Sequence, residues 1–137
     1  MGRGERVRRS RWVVVGVVVC VASLSVLSGA SASVRAVKSC STHGGLETCA
    51  AAARIHHPQA LFVKVLSQPH QRASVFWQEV CSNGSRSVYR SGRFQGVTPI
   101  RRRIAMPFAV PDSCMFSAQG HLFHDGSLRV VLQAEVP

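Results

Sequence analysis

Six histidines and a run of three arginines are the residues of this 137-residue sequence whose types and spacing suggest chemistry. His43, His56, His57, His70, His121 and His124 are the histidines. Neutral imidazole is the commonest side-chain ligand for metals such as copper and zinc. In an extended backbone, however, adjacent side chains point to opposite faces, so His56 and His57 chelate poorly as a pair. His121 and His124 also differ in parity, although a bend near His124 would let them converge. Asp125 is the one nearby carboxylate able to orient a ligating ring. Histidines solvated in loops are the simpler reading, and a metal site drawn from His121, His124, His56 and His57 is its alternative.

Arg101-Arg102-Arg103 is the strongest charge feature. In a strand, Arg101 and Arg103 share one face and Arg102 takes the other. If Ile100 and Ile104 are buried, Arg102 points inward or lies at the rim. A solvated edge strand tolerates such charges and is protected by them against sheet-to-sheet association. Together with Arg86, Arg90 and Arg93, the run offers a cationic surface for extracellular anions such as wall polymers, lipid head groups or nucleic acid. No aromatic residues are interleaved with the run in sequence, so base stacking and specific nucleic-acid binding are not expected.

Catalysis needs a nucleophile, a base and an orienting group. His124, Asp125 and Ser127 are close in sequence, but turn chemistry accounts for an Asp and a Ser in such a loop. Glu47, Glu79, Asp112, Asp125 and Glu135 form no paired acid/base pattern. There is no nucleotide-binding loop, zinc-spaced Cys/His set or nucleophile elbow. The sequence therefore predicts a non-enzymatic protein and implies no cofactor.

The elements that must position these residues follow from composition. Hydrophobic residues make up 46% and charged residues 17%, which excludes a disordered polyelectrolyte. The length suits one domain. Seventeen Lys+Arg against six Asp+Glu give +11, and only Lys38 and Lys64 are lysines. Residues 1–32 have the three parts of a secretory signal. Arg3, Arg6, Arg8, Arg9 and Arg11 form a cationic start, Trp12 to Leu27 carries no charge, and Ala30 and Ala32 sit at small-residue cleavage positions. The apolar run is shorter than the roughly 18–20 residues of a membrane anchor and contains Ser23 and Ser25. Cys20 follows Val19, where a lipid-anchored cysteine needs a small residue before it. Arg8-Arg9 offers a twin-arginine alternative, with Arg11 where an apolar residue is preferred. A secreted chain from Ser33 onward, without a membrane span, is the expectation. Five of the seventeen cations and Glu5 would leave with the signal, so they say nothing about function.

Cys20 would leave too. Cys40, Cys49, Cys81 and Cys114 remain, an even number that implies two disulfides in a small exported domain. Of three connectivities, Cys40–Cys49 with Cys81–Cys114 is favoured. The first closes a short loop holding Gly44-Gly45, and the second joins two predicted strands. On the chain-entropy relation they contribute about 2.5 and about 3.7 kcal/mol.

Residues 33–58 read as a mostly irregular N-terminal arm around the small disulfide loop, with Ala50 to Ala53 too short for a stable helix alone. Residues 59–137 read as strands and turns. The strands are Leu61–Leu66, Val75–Cys81, Ser87–Arg90, Ile100–Met106, Cys114–Leu122 and Leu128–Val136. Asn83-Gly84 signals a hairpin, and Gly92, Gly96 and Pro99 mark an open connection. Cys114, Phe116, Ala118 and Leu122 share one face, as do Leu128, Val130, Leu132, Ala134 and Val136. A three-residue hairpin loop, His124-Asp125-Gly126, pairs Leu122 with Leu128 and turns both sets to one core, with Gly126 left-handed in a bulge.

Trp77 and Cys81 share a face, and Cys114 lies inward with Phe116. A strand-to-strand disulfide beside a tryptophan resembles the centre of an immunoglobulin-like sandwich. The resemblance spans about residues 60–136, is architectural, and carries no activity. The expected fold is thus an all-β, small two-sheet sandwich, immunoglobulin-like in architecture and stapled by two disulfides. The expected function is a non-enzymatic extracellular binding or structural role toward an anionic surface. The alternative is an extracellular metal or small-ligand carrier using its histidines or a pocket at the sandwich end.

Overall fold

The computed structural model describes residues 33–42 and 48–137. The export signal expected over 1–32, together with His43 and Glu47, lies outside the described residues. The chain forms eight strands: β1 (Ser33–Thr42), β2 (Thr48–His56), β3 (Ala60–Gln68), β4 (Arg72–Asn83), β5 (Arg86–Val97), β6 (Ile100–Ile104), β7 (Ser113–Leu122) and β8 (Ser127–Val136). They build two four-stranded antiparallel sheets, ordered β1-β8-β3-β6 and β2-β7-β4-β5. Among the described residues no helix is long and apolar enough to cross a membrane.

Period-two patterning makes this a sandwich. Leu61, Val63 and Val65 of β3 and Leu128, Val130, Leu132 and Ala134 of β8 are buried from the first sheet. Ala73, Val75 and Cys81 of β4 and Cys114, Phe116, Ala118 and Leu122 of β7 are buried from the second. The opposite faces carry the polar residues, as expected where one side of each antiparallel sheet is solvated.

The faces were legible in the sequence, but the last pairing was not. β7 and β8 are not a hairpin. β7 lies between β2 and β4, β8 lies between β1 and β3, and the chain crosses from one sheet to the other between them. Leu122 and Leu128 therefore meet the core from opposite layers. Either arrangement turns both apolar sets inward, so alternation alone does not choose between them. Gly126 is not left-handed; among the described glycines only Gly84 has a positive φ, 61°. Gly84 and Ser85 are the two loop residues of the β4–β5 hairpin, between the paired Asn83 and Arg86. Glycine first in a two-residue loop is the residue that turn needs.

The N-terminal arm is a second correction. Among the described residues, 33–58 are mostly strand, and β1 and β2 each supply one edge, so the sandwich includes the segment expected to be an arm. The alanines belong to β2, where Cys49, Ala51 and Ile55 are buried in alternation. Pairing with β7 overrides their helical preference. β5 likewise runs through Gly92 and Gly96, where an open connection was expected, and β6 stops at Ile104.

Both favoured disulfides form. Cys40–Cys49 ties β1 to β2 and so links the two sheets. Cys81–Cys114 joins residues directly opposite on neighbouring strands of one sheet. The tie across the layers, which the immunoglobulin pattern assigns to the central pair, is here supplied at the edge.

Gly120, on the inward face of β7, packs directly against β8 of the other layer. A Cβ there would lie 2.6 Å from Cγ2 of Val130 and 3.4 Å from Cδ2 of Leu128. Gly120→Ala is expected to destabilise by about 1–3 kcal/mol through overpacking, read as a lower midpoint in urea unfolding. An unchanged midpoint would mean that Val130 and Leu128 yield without cost.

Candidate anion-binding surface

The six arginines singled out from sequence do not form one patch. β6 is an edge strand whose register with β3 sets Ile104 against Leu61, Arg102 against Val63 and Ile100 against Val65. Val63 is fully buried, so Arg102 shares the inward face. Its guanidinium escapes at the rim, 5.6 Å from the Phe94 ring of β5, the edge of the other sheet. Arg101 and Arg103 point outward. Arg101 stacks on Phe62 at 3.9 Å, and its Nε donates to Gln133 Oε1 at 3.0 Å. Arg90 sits opposite Glu79 on the inward side of β5. Arg86, beside the β4–β5 turn, lies 5.8 Å from the Phe108 ring. The set therefore splits into Arg101 and Arg103 on the outer face of the first sheet, Arg93 on the outer face of the second, Arg90 and Arg102 on the edge strands β5 and β6, and Arg86 at a turn.

Two cations not singled out from sequence join the outer pair. Lys64 is opposite Arg101, and Arg129 is opposite Leu66 on the same face of the first sheet. Glu135 is the one carboxylate there. The arginine–aromatic stacks hold several guanidinium groups in fixed orientations while leaving their N–H edges open.

Apart from Glu135, the described carboxylates do not lie on this sheet face. Glu79 follows the same alternation as Val75, Trp77 and Cys81, and it is fully buried between the sheets. Neither of its carboxylate oxygens has a hydrogen-bond partner. Burial penalises the charged form and pushes its pKa from 4.5 up to about 7, with Arg90 acting weakly in the other direction. Asp112 accepts a hydrogen bond from the Gly84 amide at 2.7 Å, while its own amide donates to Ser82. Asp125 lies in the connection between β7 and β8. Glu79 was not singled out from sequence as buried; its shared parity with Val75, Trp77 and Cys81 is the signal that would have placed it inside.

The histidines are dispersed. His56 ends β2 opposite Ser113, whereas His121 is opposite Thr48, eight residues away along β7 or about 26 Å. His57 follows β2 with φ 49°, and His124 lies beyond β7, its amide donating to Gln71 Oε1. His56 and His57 are therefore at one end of the sandwich and His121 and His124 at the other. Among the described residues no three His, Cys, Asp or Glu side chains gather as a metal-ligand group. His70 instead lines a recess of about 330 Å³ at the end of the first sheet, with Ser41, Leu66, Pro99, Leu128 and Arg129.

A second recess was not foreseen. On the outer face of the second sheet, Thr48, Ser74, Phe76, Arg93, Gln119 and His121 line a groove of about 240 Å³. Its members come from four strands, so only the strand order β2-β7-β4-β5 brings them together. Comparison with protein-family models and with curated proteins finds no match.

Proposed function

We propose that this chain is a secreted, non-enzymatic binding module that attaches to an anionic polymer outside the cell. The observation that carries the reading is charge segregation. Lys64, Arg101, Arg103 and Arg129 share an exposed sheet face with a single carboxylate, while Glu79 is withdrawn into the core. Two disulfides suit an oxidising compartment, in keeping with the export signal expected over residues 1–32. A rigid, stapled sandwich presents such a face at little cost in ordering.

Retention on an anionic matrix, compared with a neutral one, tests this directly. Binding is expected to fall steeply with salt, and the Arg101→Gln/Arg103→Gln double variant to lower the log–log salt slope by about two. Equal retention on charged and neutral matrices would remove the reading. A second reading, a small-ligand carrier, is favoured by the recess around His70 and Arg129. Saturable one-to-one uptake of a small molecule, lost on filling the recess with Ser127→Trp, would favour it instead.

A further inference from the structure

We propose that the outer face of the second sheet binds an acidic polysaccharide, gripping one charged sugar unit in the groove between Phe76, Arg93, Gln119 and His121. The proposal rests on the binding-module reading and adds both a second face and a ligand class.

The register defines the face. Successive rows across the sheet are Arg54, Met115, Val80 and Tyr89; then Ala52, Ser117, Gln78 and Ser91; then Ala50, Gln119, Phe76 and Arg93; then Thr48, His121, Ser74 and Gln95. No row contains an Asp or Glu. Arg54 and Arg93, with Arg72 just beyond Ser74, supply positive charge, and the remaining polar groups are amides, hydroxyls and imidazole. Among the described residues this surface carries cations and neutral donors and no carboxylate, which is complementary to a ligand that is anionic and rich in hydroxyls.

The groove is the part of this face with room for a ligand. Its volume is below the roughly 300–1,000 Å³ of sites for drug-sized molecules, which suits a single ring unit of a longer chain. Arg93 lies 5.1 Å from the Phe76 ring. Stacking on that ring orients the guanidinium, whose fork of N–H donors matches a carboxylate. Gln119 is flanked in register by Ala50 and Phe76, neither of which has a polar side-chain atom. With no polar group directly opposite, its amide can donate and accept at once, as vicinal sugar hydroxyls require. Gln78 differs: its Nε2 donates to the Tyr89 hydroxyl at 2.9 Å. Thr48 and Ser74 add hydroxyls at the groove edge.

A single-stranded nucleic acid fits less well. Its sequence-tolerant binding depends on aromatic faces open to the bases. Here Arg93 lies over Phe76 and Arg72 lies over Phe123 at 5.8 Å, which leaves Tyr89 as a single exposed ring and not a row of them.

The test is calorimetric titration of the full protein with oligogalacturonate, a neutral galactan of equal length, inorganic polyphosphate and single-stranded DNA, all at one salt concentration. Oligogalacturonate is expected to bind at least about tenfold more tightly than the galactan. Gln119→Ala, at an exposed position, should weaken oligogalacturonate by about tenfold, one lost hydrogen bond, and leave polyphosphate nearly unchanged. Arg93→Ala should weaken oligogalacturonate further, and thermal melts should report folded variants throughout. The Arg101→Gln/Arg103→Gln variant should retain the preference for oligogalacturonate over polyphosphate. The proposal is overturned if Gln119→Ala changes nothing, if polyphosphate binds as tightly as oligogalacturonate, or if DNA binds more tightly than either. In the last two cases the binding-module reading survives; failure of every polyanion to bind removes both.

Discussion

Glu79→Gln is expected to abolish most of the pH dependence of stability between pH 4.5 and 8. Glu79→Met is expected to raise stability at pH 8. Glu79 lies between the sheets without a hydrogen-bond partner, and burial carries its pKa from 4.5 to about 7 in the folded protein. Below pH 4.5 the carboxyl is protonated in both folded and unfolded chains and contributes nothing to the slope. Between 4.5 and about 7 the folded protein holds a proton that the unfolded chain releases, so stability falls as pH rises. Above 7 the loss is complete and amounts to about 3 kcal/mol. A buried amide still lacks a partner, so Gln flattens the profile without recovering all of that energy. Met removes the polar atoms and keeps an unbranched chain of similar length. Urea unfolding at pH 5 and pH 8 reads the effect. Wild-type stability that is equal at the two values would show that Glu79 finds solvent or a partner when charged.

Phe116→Ala should be the most damaging single truncation of the core, at about 3–5 kcal/mol. Phe116 is fully exposed to the core and to no solvent, and it is the largest of the fully buried side chains. It is also directly opposite Glu79 on the neighbouring strand, close enough for the two side chains to interact. The space it leaves adjoins a buried acid, so water entering there would hydrate the carboxylate. The destabilisation should therefore be greater at pH 5, where Glu79 is neutral, than at pH 8. Unfolding curves for wild type and variant at both pH values measure this coupling. Equal losses at the two values would mean that the cavity stays dry.

The sequence made some of this legible and hid the rest for definable reasons. Cysteine count and spacing led to both bridges, because short loops and predicted strands limited the choices. Alternation placed Cys81, Phe116, Leu122 and Val130 on inward faces. It could not tell which strand lies beside which, so β7 and β8 were taken as partners when they face each other across the core. Short, alanine-rich β2 has little hydrophobic signal of its own and acquires its conformation from β7. The charged surface was hardest to read. Three consecutive arginines look like one patch, yet alternation sends Arg102 to the rim and Arg101 and Arg103 outward, beside Lys64 and Arg129 from strands distant in sequence. The groove around Gln119 is likewise a product of strand order and has no linear motif.

The order of the first sheet has a consequence for how the chain reaches this state. β8 lies between β1 and β3 and is hydrogen-bonded to both. Of that sheet only the β3–β6 pair can form before the last ten-residue strand is available. Assembly therefore waits for the carboxyl end, and its first and last strands must close the longest loop in the molecule, a topology that favours slow folding. A chain emerging amino end first could zip up its second layer while β1 still waited, unpaired, for the last strand to arrive.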